Sequence, residues 1–271
     1  MAQQDVLVLG GTGTTGRRVV AALQDAGHPV RAASRRGPVR FDWAAPVTWG
    51  PALAGARGLY LMAPDGIAVD PALVALAVAS GVRTIVLLSS AAVEEMGDVR
   101  LLDAERAVQA SGADWTVLRP SWFDQVFDEG PFRPAVLAGR VVLPVGGVRS
   151  AFVDAGDIAA AAAAALTRPG HAGRTYELRG PQALSFAEAV AFVSRVSGRQ
   201  VSFCGDADDY VQEQLDAGRA REEALAEVVA FSALCARGDD EPTGPRCPVS
   251  GRPLTTFEQY AREAAARGAW A

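Results

Sequence analysis

The chain has 271 residues, of which 49% are hydrophobic, and it carries a net charge of −5 at pH 7. This length and composition suffice for a substantial buried core, in one large domain or in a main domain with a smaller attached part. The acidic balance and the lack of a basic run exclude nucleic acid as an expected partner.

Residue types that are rare or missing restrict the chemistry further. Cys204, Cys235 and Cys247 are odd in number and scattered, which predicts reduced thiols in the cytoplasm and no zinc site. His28 and His171 are the only histidines, so no histidine-based metal site or triad is expected. All 26 basic residues are arginines, which excludes lysine-dependent chemistry. Neither a signal peptide nor a membrane span is expected, because no positive n-region and no long apolar run occur.

The N-terminal stretch indicates a dinucleotide site. Residues 6–9 form an apolar run typical of a buried parallel strand, and helical periodicity begins at Arg17. Between them lies a glycine-rich turn made of Gly10, Gly11, Thr12, Gly13, Thr14, Thr15 and Gly16. Such a turn lets the backbone approach a pyrophosphate, and the following helix N-terminus offers it free N–H groups and a positive dipole end. The order strand, turn, helix makes the glycine motif specific.

The end of the second predicted strand, residues 30–34, indicates which dinucleotide binds. An NAD site usually presents a carboxylate here, whereas this chain has Ser34, Arg35 and Arg36. A guanidinium can bind a ribose 2′-phosphate bidentately, so the sequence favours NADP(H), with Arg35 as the principal contact. One of the two arginines can instead be an ordinary solvated residue. A third strand at 39–43 is expected to bring Asp42 near the adenine.

Strands and helices alternate as far as Pro120, which predicts an α/β fold with a Rossmann-type, doubly wound parallel sheet. The further elements predicted in this half are strands at 58–64, 84–90 and 114–118 and helices at 51–55, 70–80 and 101–111, with Asp70 as a cap. After Pro120 the sequence predicts a strand at 175–179 and helices at 157–166, 185–197, within 208–237 and at 256–267. Asp157 is the expected cap of the first of these helices. We expect an NADP-binding domain, residues 1–150, and a smaller substrate-covering part, residues 151–271.

Several separated motifs resemble those of the NmrA-like atypical short-chain dehydrogenases/reductases. They are G-G-T-G-T-T-G at 10–16, F-D-W at 41–43, L-L-S-S at 87–90, D-W-T-V-L-R-P at 114–120, F-V-D-A-G-D-I-A at 152–159 and V-S-G-R-P-L-T-T-F at 249–257. The resemblance covers nearly the whole chain and is closest to bacterial relatives of the ergot-alkaloid iminium reductases, the festuclavine and agroclavine dehydrogenases. It implies NADPH-dependent reduction of a ketone, quinone or iminium group. Other members of this family are redox-sensing regulators that bind the dinucleotide without turnover.

The chain departs from typical short-chain dehydrogenases at the catalytic positions. Those enzymes use a serine and a tyrosine whose pKa a lysine lowers, but here Asp103 stands thirteen residues after Ser90, and Ala107 follows it by four. We expect Ser90 to bind the substrate carbonyl or the nicotinamide carboxamide. Asp103 is expected to donate or relay a proton if burial raises its pKa. The alternatives are a strand-end serine bonded to backbone and an aspartate on the outer helix face.

The carboxyl ends of parallel strands meet at one crevice, where the nicotinamide is expected. Cofactor contacts are therefore predicted at Ala63, Pro64, Ser89 and Pro120. A pocket for a flat aromatic substrate is predicted around Met96, Ser121, Trp122 and Phe123, with Phe127 nearby, unless these rings only pack the junction of the two parts.

Together with these features, the family resemblance implies a cytoplasmic, metal-free reductase that transfers hydride from NADPH to a ketone or iminium carbon of a bulky polycyclic secondary metabolite, as in antibiotic biosynthesis. The alternatives are a dinucleotide-sensing regulator and an NADPH:quinone oxidoreductase. The oligomeric state stays open.

Overall fold

The computed structural model describes residues 5–271, so the expectation about a signal peptide falls largely on residues 1–4, outside this range. Within it the strands are β1 (Val6–Leu9), β2 (Val30–Ser34), β3 (Val39–Arg40), β4 (Gly58–Leu61), β5 (Thr84–Leu88), β6 (Asp114–Pro120), β7 (Arg140–Val142), β8 (Arg149–Ser150), β9 (Arg174–Leu178), β10 (Leu184–Ser185) and β11 (Ser202–Cys204). The helices are α1 (Thr14–Asp25), α2 (Trp49–Leu53), α3 (Pro71–Ala79), α4 (Val99–Gln109), α5 (Arg133–Ala138), α6 (Ala155–Thr167), α7 (Phe186–Ser197), α8 (Ala207–Asp216), α9 (Arg221–Arg237) and α10 (Phe257–Ala266).

A parallel sheet of seven strands forms the centre of the fold, in the order β3-β2-β1-β4-β5-β6-β9. From β1 the chain builds outward first through β2 and β3 and then, in the other direction, through β4 to β9. The direction of winding therefore reverses between β1 and β4, and ligands of such sheets bind beyond the carboxyl ends of the strands at that point. This arrangement confirms the predicted Rossmann-type sheet.

Helices cover both faces of this sheet because its central strands are apolar on both sides. Val6 and Val8 of β1 face a core that α1 and α6 close, while Leu7 and Leu9 face a second core closed by α2, α3 and α4. All four side chains are fully buried. The small side chains of the alanine-rich α6 let α1 pack closely beside it on this face of the sheet.

The smaller part is built around packed aromatic rings. Phe127, Phe152, Phe186 and Phe257 are each at most 3% exposed, and the rings of Phe152 and Phe186 meet edge to face at 4.9 Å. Around them β7 pairs with β11 and β8 with β10. However, α6 and β9, which come from the predicted C-terminal part, complete the layers of the main sheet. The division at residue 150 stays a prediction.

Element boundaries differ from the predicted ones where side chains compete for the helix ends. Asp154, rather than Asp157, caps α6 by accepting a 2.7 Å hydrogen bond from the Gly156 N–H. Asp157 is turned toward the C-terminal segment and accepts from the Thr255 N–H at 2.7 Å. The third strand stops at residue 40, and the 208–237 segment is two helices, α8 and α9. None of the helices in residues 5–271 is long and apolar enough to cross a membrane.

Candidate active site

The glycine-rich turn between β1 and α1 is shaped by contacts that leave no room for side chains. A Cβ on Gly16 would lie 2.1 Å from the Gly10 carbonyl oxygen, and one on Gly11 would lie 2.7 Å from the Ala32 Cβ. Gly13 is the N-cap of α1, and no side chain caps this helix. The first N–H groups of α1 are thus left for an outside acceptor, which is the arrangement that binds a diphosphate.

Two arginines follow β2 beside this turn. The Gly11 N–H donates to the Ala33 carbonyl at 3.1 Å, which joins the turn to the end of β2. Arg35 and Arg36 are exposed, and neither forms an ion pair with any residue in the range 5–271. Two unpaired guanidinium groups at this place, next to Ser34, fit a ribose 2′-phosphate.

Asp42 lies in a hydrogen-bonded turn just beyond β3. Its carboxylate accepts from the Ala44 N–H at 3.1 Å, and its carbonyl accepts from the Trp49 Nε1–H at 2.9 Å. These bonds hold the turn in place beside β2. An adenine contact of Asp42 stays a prediction.

A cavity of about 630 Å³ opens beyond the carboxyl ends of β4, β5 and β6 and reaches the N-terminus of α1. The structure brings together in its wall many of the residues singled out in the sequence. They are Thr14, Thr15, Ala63, Pro64, Ser89, Ser90, Met96, Pro120, Ser121, Trp122 and Phe123. The residues predicted to contact the nicotinamide and those predicted to contact the substrate thus line one continuous cavity.

Residues that the sequence did not single out also close this cavity, namely Arg149 and, from the C-terminal part, Leu234, Arg237 and Asp240. The Ser121 hydroxyl donates to Asp240 at 2.8 Å, and Arg237 donates to the other carboxylate oxygen at 2.6 Å. Since Ser121 and Asp240 are 119 positions apart, no local pattern could have paired them.

Asp103 has no place in the cavity, which corrects the expectation of a proton donor there. Its side chain is 58% exposed and pairs with Arg106 at 2.6 Å on the outer face of α4. Residues two apart on a helix point in nearly opposite directions, so Glu105 is turned toward the sheet instead. Glu105 is only 4% exposed.

Glu105 joins two strand ends under the cavity. Arg119 of β6 donates to both of its carboxylate oxygens, from Nε at 2.9 Å and from Nη2 at 2.7 Å. The hydrogen bond with Glu105 raises the pKa of Arg119 and outweighs the effect of burial, which lowers it. Ser89, in the cavity wall, donates to the same carboxylate at 2.5 Å. This hydrogen-bond network of Ser89, Glu105 and Arg119 was not predicted from the sequence.

Ser90 differs from its neighbour because its hydroxyl has no hydrogen-bond partner among residues 5–271. The Ser90 carbonyl accepts from the Val93 N–H at 3.3 Å, while its half-buried side chain lines the cavity. The hydroxyl is therefore available to a bound molecule.

The aromatic residues fill two roles. Trp122 lines the cavity and also packs edge to face on Phe186, with ring centres 5.3 Å apart. Phe127 is fully buried in the aromatic cluster and does not border the cavity, so its expected part in a substrate pocket is wrong. Phe127 instead packs in the aromatic core of the smaller part.

An ion cluster joins α1 to the segment that follows β6. Arg18 donates to the Thr14 carbonyl at 2.8 Å and to Glu129 at 2.7 Å, and Arg17 pairs with the same carboxylate. Burial alone would raise the pKa of Glu129, but the two arginines lower it to about 2. The start of α1 is thereby held against the cavity wall.

Comparison with known proteins places the chain in a family. No protein-family model matches it. It is 33% identical to an NAD(P)H azoreductase of Xenophilus azovorans, across 97% of this chain and 99% of that protein, and 31% identical to festuclavine synthase II of Penicillium roqueforti, across 72% and 75%. The fold matches an NADPH complex of the NADPH-dependent quinone oxidoreductase of Escherichia coli with a TM-score of 0.77, at 23% identity and with 95% and 99% of the two chains covered. The chain belongs to the NmrA-like group of atypical short-chain dehydrogenases/reductases.

Proposed function

We propose that this protein is an NADPH-dependent reductase that transfers hydride to a ketone or iminium carbon of a bulky, polycyclic secondary metabolite. The observation that carries the proposal is a continuous cavity of about 630 Å³ that runs from the N-terminus of α1 to the aromatic residues after β6. Its volume falls in the range of sites that enclose drug-sized molecules, about 300–1,000 Å³. The azoreductase relative supports the use of a reduced nicotinamide.

The residues present fit NADPH. Residues 10–16 would hold the diphosphate, Arg35 with Arg36 and Ser34 the 2′-phosphate, and Asp42 would lie beside the adenine. Ala63, Pro64, Ser89 and Pro120 would contact the nicotinamide half. When bound, the reduced nicotinamide supplies the hydride, and proximity and orientation in the cavity carry much of the rate.

Ser90 is the residue we assign to the accepting group of the substrate. Its hydroxyl has no partner within residues 5–271, whereas Ser89 and Ser121 already donate to Glu105 and Asp240. A serine hydroxyl donating to a carbonyl oxygen would stabilise the negative charge that develops there. Met96, Trp122 and Phe123 would provide the apolar walls for the substrate.

The protein carries no lysine, and no tyrosine in the described range lines the cavity, so the usual tyrosine–lysine pair has no counterpart in this proposal. An iminium carbon needs no proton on reduction, and a ketone would take its proton from water or from a substrate hydroxyl. The similarity to festuclavine synthase II fits the resemblance to iminium reductases that the sequence motifs carry.

Quinone reduction would use the same cavity, and it is the second candidate reaction. A regulator without turnover would need an exposed binding surface. On α9 the large apolar residues that the structure leaves exposed are Leu225 and Val229, while Leu234 lines the cavity. This distribution supports the reductase. Because the three cysteines are free within residues 5–271, we also propose a cytoplasmic location.

Oxidation of NADPH in the presence of a polycyclic ketone, a cyclic iminium salt and a quinone tests the proposal. We expect turnover with the ketone or the iminium salt. Turnover with the quinone alone would assign the second reaction. Tight binding of NADPH without turnover of any of the three would overturn the enzyme assignment in favour of the regulator.

A further inference from the structure

We infer that Ser89 is a fixed hydrogen-bond acceptor for the nicotinamide half of NADPH, and that Glu105 and Arg119 are the positioning residues that make it one. The inference deepens the proposed function, because it requires the nicotinamide in the cavity, and it assigns Glu105 a role through Ser89 rather than contact with the ligand.

The direction of the hydrogen bond between Ser89 and Glu105 follows from Arg119. A guanidinium has only donors, and two of them meet the two Glu105 oxygens at 2.9 and 2.7 Å. The carboxylate is thus ionised and has only lone pairs to offer. At 2.5 Å from Glu105, the Ser89 hydroxyl must therefore be the donor.

With its proton committed to Glu105, the Ser89 oxygen presents only lone pairs to the cavity. Rotation of the hydroxyl toward a ligand would leave a carboxylate that is 4% exposed short of a partner, which costs free energy. Ser89 is itself 7% exposed, so few water molecules can compete for those lone pairs. The ligand group facing Ser89 must therefore be a donor.

The position of Ser89 selects the nicotinamide nucleoside as the source of that donor. Ser89 follows β5 at the floor of the crevice, and its N–H is bonded to the Leu118 carbonyl of β6 at 2.8 Å. Thr14 and Thr15 at the start of α1 border the same cavity. In sheets of this kind the nicotinamide lies at this place, and its carboxamide N–H and ribose hydroxyls are donors.

The two adjacent serines therefore have opposite roles. Ser89 can only accept, whereas the Ser90 hydroxyl has no partner within residues 5–271 and is able to donate. A carbonyl substrate needs a donor, and the cofactor amide needs an acceptor. The pair offers one of each, on consecutive residues just after β5.

Binding of NADPH and of adenosine 2′,5′-bisphosphate, which lacks the nicotinamide half, tests the inference by calorimetry on the full chain. For Ser89→Ala we expect an NADPH affinity about 3- to 10-fold weaker and an unchanged affinity for the bisphosphate, as for the loss of one hydrogen bond. Glu105→Gln should likewise lower the ratio of the NADPH affinity to the bisphosphate affinity. When Glu105→Gln is added to Ser89→Ala, this ratio should fall no further.

Glu258→Gln is the matched control, since it removes a half-buried glutamate that pairs with Arg262 and Arg195 and does not line the cavity. It should leave both affinities unchanged. If Ser89→Ala leaves the ratio unchanged, or if Glu105→Gln weakens both ligands equally, the inference is wrong. If the unaltered protein binds NADPH no better than the bisphosphate, the proposed function fails instead.

Discussion

Gly16→Ala tests whether the turn between β1 and α1 has the tight geometry described. The added Cβ would lie 2.1 Å from the Gly10 carbonyl oxygen and 2.7 Å from its carbonyl carbon, whereas ordinary contacts begin at 3.4 Å. Both obstacles are backbone atoms, so no side-chain rotation relieves the clash. The helix and the turn must move apart by about 1.3 Å, the shortfall of the closer contact.

We expect this movement to lower the free energy of unfolding by about 1–3 kcal/mol, as for overpacked cores. That corresponds to a fall in Tm of about 3–10 °C for a chain of this size. NADPH affinity should fall as well, because the N–H groups of α1 no longer point at the diphosphate.

Thermal unfolding and NADPH titration measure the two effects. Gly50→Ala in α2 is the control, since a Cβ there meets nothing within 4 Å. It should leave NADPH binding unchanged and raise the stability slightly. Unchanged stability and affinity in Gly16→Ala would refute the close approach.

Three further predictions follow from single side chains. Arg35→Ala should weaken NADPH binding about 10- to 100-fold, as for a lost charge-assisted hydrogen bond, with little effect on NADH; equal losses in titrations with the two cofactors would refute the 2′-phosphate assignment. With a ketone as substrate, Ser90→Ala should lower kcat about 10- to 100-fold at unchanged NADPH affinity, whereas Ser111→Ala, at the opposite edge of the sheet, should not affect kcat. Asp124 is fully buried with neither oxygen hydrogen-bonded, and burial raises its pKa well above the ordinary 3.8. The folded state therefore loses stability as the pH rises above that ordinary value, so Asp124→Asn should raise Tm more at pH 8 than at pH 5; a Tm gain independent of pH would contradict this.

The sheet and the cavity floor could be predicted because their signals are local. The glycine turn lies between an apolar run and a periodic helix, and residues at strand ends such as Pro64 and Ser90 share one edge by topology. The rest depended on packing. Glu105 looks like an ordinary helix glutamate, but Leu101, Ala104, Glu105 and Val108 have the spacing of a buried helix stripe. That spacing is the sequence signal from which the burial of Glu105 could have been predicted.

Asp103 is not part of that buried stripe, so the catalytic role predicted for it from its spacing to Ser90 is wrong. The closure of the cavity by Arg237 and Asp240 had no signal in the sequence, because Ser121 finds its partner 119 positions away through the packing of the C-terminal part. Local pattern indicates which strand ends meet, but it does not show what covers them.

Transfer of deuterium from C4 of the nicotinamide to the acceptor is the most direct test of the proposed reaction. NADPH labelled with deuterium at C4, in each of its two stereochemical forms, is incubated with the protein and the acceptor that turns over. The reduced product is then analysed by mass spectrometry. We predict that one of the two forms passes its deuterium to the ketone or iminium carbon. A product without deuterium from either form, or a bound NADPH that never loses its label, would contradict hydride transfer in this cavity.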